Sequence, residues 1–190
     1  MSDRKMNADV RTVIPEKLAE TMEKIARRKP VSRITVRELC AACGVSGQTF
    51  YNYFPDKYAL MVWAYKSQAE RSRQKFESGE YSFRDVTVAN LKYCDEHAVF
   101  MLNAISNTNG PDSYYVGSSE STIASAEEYI ANRFGRDALT DTERTHLRMF
   151  VYACSGICVY WLSTEKKKTA EELADDIITA MPVSLHRYFL

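Results

Sequence analysis

Gly44 constrains this chain more than any other residue, because it stands between two short helical patterns that must turn sharply on one another. Upstream, Thr35 and Glu38 have the spacing of a capping box: the threonine hydroxyl accepts from the Glu38 amide and the carboxylate reaches back to the Thr35 amide. A helix therefore opens at Val36, and Val36, Leu39, Cys40 and Cys43 fall at i, i+3, i+4 and i+7 on one face. Gly44 then occupies the position where a left-handed backbone closes a helix. Val45 plugs the corner, Ser46 caps a second helix, and Pro55 stops it.

In that second helix only Phe50 and Phe54, at i and i+4, are committed to a core, which leaves Gly47, Gln48, Thr49, Tyr51, Asn52 and Tyr53 for the outer faces. A helix of about two turns, held across a tight turn by its predecessor, can enter the major groove of DNA. Gln and Asn read base edges there, while Thr, Tyr and Lys bind phosphate oxygens. Lys57 lies in the first turn of a further helix capped by Asp56, within reach of the same backbone. The competing reading is an ordinary helix pair whose tyrosines cover a core, since helix-turn-helix geometry also occurs in proteins that bind no nucleic acid.

Charge separates along the chain. The formal net charge is zero, but residues 1–77 hold 15 of the 25 Lys+Arg and 9 of the 25 Asp+Glu, leaving 10 against 16 in residues 78–190. The positive excess thus surrounds the expected DNA-binding helices, as steering toward phosphate requires. The first eleven residues have no apolar core of a secretory signal. The longest weakly polar run, 149–162, is too short for the roughly 20 residues that span a bilayer. Five cysteines without a regular framework fit a reducing cytoplasm. Cys40 and Cys43 form a C-x-x-C, but no second ligand pair follows, and buried small apolar residues describe them better than a metal site. No cofactor is expected. Three histidines and the absence of G-x-S-x-G, H-E-x-x-H and a Gly-rich phosphate loop argue against an enzyme.

The rest of the chain reads as helices, giving an all-α fold. Ile14, Leu18, Met22 and Ile25 form an amphipathic first helix that completes a three-helix head over residues 1–55. Residues 56–77 make a linking helix ended by Gly79, and residues 78–190 a helical body. In the body, helices are expected over 83–96, 98–106 and 122–134, with a loop at 107–119 marked by Gly110, Pro111 and Gly117. Capping boxes at Thr140/Glu143 and Thr169/Glu172 open two more. The helix over 141–163 is apolar on nearly every side, so it needs cover from its own body and from a second subunit. Small Ser155 and Gly156, with Val159, Leu162, Leu173 and Ile177, are the expected homodimer contacts. Tyr93, His97, Met101 and Tyr115, amphipathic or polarizable groups beside a helix junction and a Gly/Pro loop, are the expected border of an effector pocket.

The ordered pattern T-x-x-x-L…A-x-x-x-G-V-S…T-F-Y-x-Y-F-x-x-K-x-x-L, carried by Thr35, Leu39, Gly44, Val45, Ser46, Thr49, Phe50, Tyr51, Tyr53, Phe54, Lys57 and Leu60, resembles the DNA-binding domain of TetR-type transcriptional regulators. The resemblance implies phosphate contacts at Thr49, Tyr51, Tyr53 and Lys57 and base contacts at Arg37, Gly47, Gln48 and Asn52. Thr35 and Ser46, which cap the two helices, complete the expected set. Gly47 stands where many members have a longer side chain, which shifts base reading toward Gln48 and Arg37. The resemblance further implies a cytoplasmic homodimeric repressor, released from double-stranded operator DNA when a small-molecule effector moves the linking helix. More faintly, DEHAVFMLNAISNTNGPDS and the closing W-L…E-E-L-A…M-P resemble regulators that work with a dihydroxyacetone-kinase-like protein. Those imply an activator controlled by a protein partner. A helical interaction protein that does not bind DNA is the remaining alternative.

Overall fold

A computed structural model describes the backbone of residues 2–110, 113–165 and 168–190, with side chains from Val13 onward. Among the described residues the chain forms ten α-helices and no strand. They are α1 (Ser2–Ala26), α2 (Val36–Cys43), α3 (Gly47–Tyr51), α4 (Lys57–Glu77), α5 (Phe83–Glu96), α6 (Ala98–Ser106), α7 (Tyr114–Phe134), α8 (Asp141–Ser163), α9 (Ala170–Thr179) and α10 (Val183–Phe189), with a 3-10 turn at Val31–Arg33. Contacts divide the chain into two units, Met1–Tyr65 with Val99–Tyr114, and Lys66–Ala98 with Tyr115–Leu190. No described helix is long and apolar enough to cross a membrane.

In the first unit Leu18, Met22, Leu39, Cys43, Phe50 and Leu60 are almost wholly buried. Both cysteines of the C-x-x-C belong to this core, and burial raises the pKa of the Cys40 thiol. Asn103 on α6 makes a clasp with the end of α1. Its Nδ2 donates to the carbonyls of Ala26 (2.7 Å) and Lys29 (2.9 Å), and its Oδ1 accepts from the Val31 amide at 3.0 Å. Asn107, one turn on, donates to that same Oδ1 at 2.9 Å and so holds the amide in this orientation. The Ala26 carbonyl at the α1 terminus, and two backbone groups just beyond it, thereby gain a partner that the helix itself does not supply.

In the second unit α5 packs on α8 and α9, and α10 on α8. The core gathers Ile123, Tyr129, Ile130, Leu147, Val151 and Leu185, with Phe76, Phe83 and Phe189 against it. Reciprocal capping boxes form at Thr140/Glu143 and Thr169/Glu172 as expected, and a third, Ser82/Asp85, opens α5. The loop expected over 107–119 is shorter. Helix α7 begins at Tyr114, where the Tyr114 amide donates to Thr108 Oγ1 (2.9 Å), and it runs through Gly117. The Ser118, Ser119 and Thr122 hydroxyls bond back to carbonyls three or four residues earlier, so these polar residues sit in the helix without stranding a donor. Pro111, part of the expected loop, lies outside the described residues.

Candidate nucleic-acid interface

The turn is built as its residues dictate. Thr35 caps α2, its Oγ1 accepting from the Glu38 amide at 3.1 Å. The other half of the expected box is secondary, because the Glu38 carboxylate makes its close bond with Lys29 Nζ at 2.5 Å. That hydrogen bond holds the Glu38 carboxyl below its ordinary pKa. Gly44 takes φ 76°, a left-handed value that favours glycine. Ser46 then caps α3, its Oγ accepting from the Thr49 amide (3.0 Å) and sharing a hydrogen bond with the Thr49 hydroxyl (2.8 Å). Phe50 is fully buried and anchors α3 from beneath, meeting Phe54 at 5.8 Å between ring centroids.

Outward from this anchor Gly47, Gln48, Tyr51 and Asn52 are exposed. Tyr51, 57% exposed, lies edge-on to Phe50 and presents its hydroxyl end to solvent. Gln48 and Asn52 are bonded to each other, Gln48 Nε2 donating to Asn52 Oδ1 at 3.1 Å. Arg37 is exposed on α2, whereas Thr49 and Tyr53 are half-buried.

Lys57, expected on a phosphate, is bonded within the head. Its ammonium donates to the carbonyls of Val31 (2.9 Å), Ser32 (3.0 Å) and Ile34 (2.7 Å), tying the start of α4 to the 3-10 turn. All three protons are engaged inside the head. Burial, followed by the nearby positive charge of Lys29, lowers its pKa from the ordinary lysine value. The expected cap of α4 is present, with Asp56 Oδ1 accepting from the Tyr58 and Ala59 amides at 2.8 Å each.

The expected dimer residues fall on two different sides of the second unit. Ser155 bonds to Ser119 on α7 (2.9 Å), and a Cβ on Gly156 would stand 3.7 Å from the Tyr115 hydroxyl. The close approach these small residues allow is therefore to α7 of the same chain, a correction to their expected outward role. Leu162 is buried and Val159 half-buried. The outward apolar face of α8 is instead Met149, Ala153, Ile157 and Tyr160, with Met149 and Tyr160 each 66% exposed. With Leu173 and Ile177 of α9 and Phe150, these residues line a groove of about 700 Å³. Met149, Ala153, Ile157 and Tyr160 are spaced by four, four and three along α8, one face of the helix.

Of the expected pocket residues, Tyr93 and His97 come together, their rings 4.2 Å apart where His97 closes α5. The Tyr115 hydroxyl donates to the Tyr152 carbonyl of α8 at 3.0 Å, and Met101 is buried in the first unit.

Among the described residues, all helical, the two helices of the turn bring exposed amides and a tyrosine to the outer face of the second one. Residues 21–62 match the model of bacterial regulatory proteins of the tetR family. No curated protein sequence matches the chain. Among solved structures it is similar to the dihydroxyacetone kinase operon activator DhaS (TM-score 0.61, 16% identity, covering 93% of this chain and 96% of that one). It is also similar to a TetR transcriptional regulator from Rhodococcus sp. RHA1 (0.60, 20%, 92% and 99%). A third is the TetR-family repressor FadR of Thermus thermophilus in complex with lauroyl-CoA (0.52, 14%, 88% and 92%). At these identities the likeness is one of fold.

Proposed function

We propose that the chain is a homodimeric repressor that reads a two-fold operator with one α3 per half-site and leaves it when an effector occupies the body. The observation that carries the DNA reading is the outer face of α3, where Gln48, Tyr51 and Asn52 are exposed above a fully buried Phe50. Arg37 on α2, Thr49 and Tyr53 supply further polar contacts, and Arg33 of the 3-10 turn adds positive charge. Pairing through the α8/α9 groove supports the two-fold arrangement, because a symmetric dimer matches a symmetric operator. Tyr93, His97 and Tyr115, all in the second unit, are the residues assigned to the effector site. The regulator works in the cytoplasm, where operator DNA lies.

The test is a mobility shift on the DNA upstream of its own gene, with sedimentation of the free protein. Retarded bands that weaken steeply with salt, from a protein that sediments as a dimer, support the reading. A second reading, activation governed by a protein partner, draws on the likeness to DhaS, itself an operon activator. Transcription from the bound promoter after deletion of the gene separates them: a rise supports repression, a fall activation.

A further inference from the structure

We propose that Gln48 and Asn52 read DNA as one hydrogen-bonded unit, in which Asn52 fixes the Gln48 amide for adenine and itself presents donors to an acceptor edge a base pair or two away. This rests on the DNA-binding reading of α3. The two side chains stand one helical turn apart on the exposed face, and Gln48 Nε2 donates to Asn52 Oδ1 at 3.1 Å. An exposed amide pair of this kind adds little to helix stability, so its value lies in what it leaves free.

The remaining valences determine that. Gln48 keeps one Nε2 hydrogen and its whole Oε1, which match adenine N7 and the adenine N6 amino group. Rotating the Gln48 amide alone by half a turn would set its oxygen against Asn52 Oδ1, two acceptors in contact, so the two amides turn only together, and the orientation found is the one that suits adenine. Asn52, with its oxygen drawn toward Gln48, offers chiefly its Nδ2 hydrogens. These suit guanine O6 and N7 or thymine O4, and they clash with the cytosine amino group. Four residues of helix advance about 6 Å. The base-pair rise of about 3.4 Å therefore puts the two contacts one or two pairs apart. Gly47 fits this use. It has no left-handed φ and nothing within 4 Å of where a Cβ would stand, so nothing inside the described protein requires glycine there.

The experiment is selection from a duplex library of random sequence by the full chain and by Gln48→Ala, Asn52→Ala and Asn52→Asp, followed by affinities for single-base variants of the enriched site. Circular dichroism melting checks that each variant folds. Asn52→Ala is expected to lose its own guanine-or-thymine preference and to reduce the adenine preference set by Gln48 about fivefold or more. Asn52→Asp keeps an acceptor for Gln48 Nε2 and so retains the adenine preference, while its carboxylate turns the neighbouring preference toward cytosine. A purely structural role would move neither ratio. An adenine preference unchanged within about twofold in Asn52→Ala overturns the coupling while leaving DNA binding intact. Failure of the wild type to enrich any sequence overturns the DNA reading itself.

Discussion

Replacing Asn103 removes the clasp between α6 and the end of α1, and its cost can be worked from the bonds. Asn103→Leu approximately conserves side-chain volume but deprives the Ala26 and Lys29 carbonyls and the Val31 amide of their partner. Net losses of about 0.5–1.5 kcal/mol per hydrogen bond give roughly 1.5–4.5 kcal/mol for three. The Val31 amide belongs to a fully buried residue, so water cannot replace its partner and the upper half of that range applies. Taking about 3 kcal/mol, and about 2–4 °C per kcal/mol for a chain of this length, the midpoint should fall about 6–12 °C. The assay is urea and thermal unfolding in a Trp161→Phe background. That leaves Trp63, which meets Phe54 edge-on within the first unit, as the tryptophan reporter. Asn103→Ala should be no better, and Asn103→Asp should be worse, since it keeps the acceptor but sets a carboxylate against two carbonyls. A loss below about 0.5 kcal/mol in Asn103→Leu would refute the reasoning, because three stranded backbone groups cannot cost so little.

Four further outcomes are expected. Ile157→Arg, in the middle of the α8/α9 groove, places an unpaired charge in the proposed interface and should yield a folded monomer by sedimentation. Gly156→Arg should instead lower the melting point, because its side chain would run into Tyr115. Lys57→Met should cost roughly 1–3 kcal/mol of stability by stranding three carbonyls, with the salt dependence of DNA binding unchanged; a slope flatter by about one unit would return Lys57 to a phosphate. The cap carboxylates should govern acid stability. Glu143 is held below its ordinary value of 4.5 by the Thr140 amide and then its hydroxyl, and Asp85 is likewise lowered by Ser82. Each folded pKa lies below the unfolded one, so the stability is full above the ordinary value and lost as pH falls through the lowered one. Urea midpoints should be level from neutral pH down to about 5 and then drop, with a shallower drop in Glu143→Gln.

Local chemistry was legible in the sequence and distant pairing was not. Thr35, Gly44, Ser46, Asp56, Thr140 and Thr169 act on backbone groups within four residues, and each does in the fold what its spacing announced. The core face of α2 and the Phe50/Phe54 pair followed from helical period alone. Asn103 carried no signal, because its partners lie more than seventy residues away. The surroundings of Lys57 were hidden for a similar reason: a lysine near a recognition helix suits phosphate, and nothing local announces the three carbonyls of the preceding turn around it. In α8 the apolar residues were recognised but divided wrongly between faces. A helix apolar nearly all round gives no moment to tell inside from outside, and the Ser119–Ser155 bond that fixes the choice depends on α7.

The clasp also has a bearing on biosynthesis. Residues 34–60 hold everything the recognition turn needs locally, yet the end of α1 waits for an amide from residue 103 and its support from residue 107. A ribosome adding about 5–20 residues per second reaches Asn107 roughly 2–8 s after Tyr65. During that interval the nascent head has its turn and its basic surface but lacks its tie. A fragment ended at Tyr65 would remain permanently in that unfinished condition.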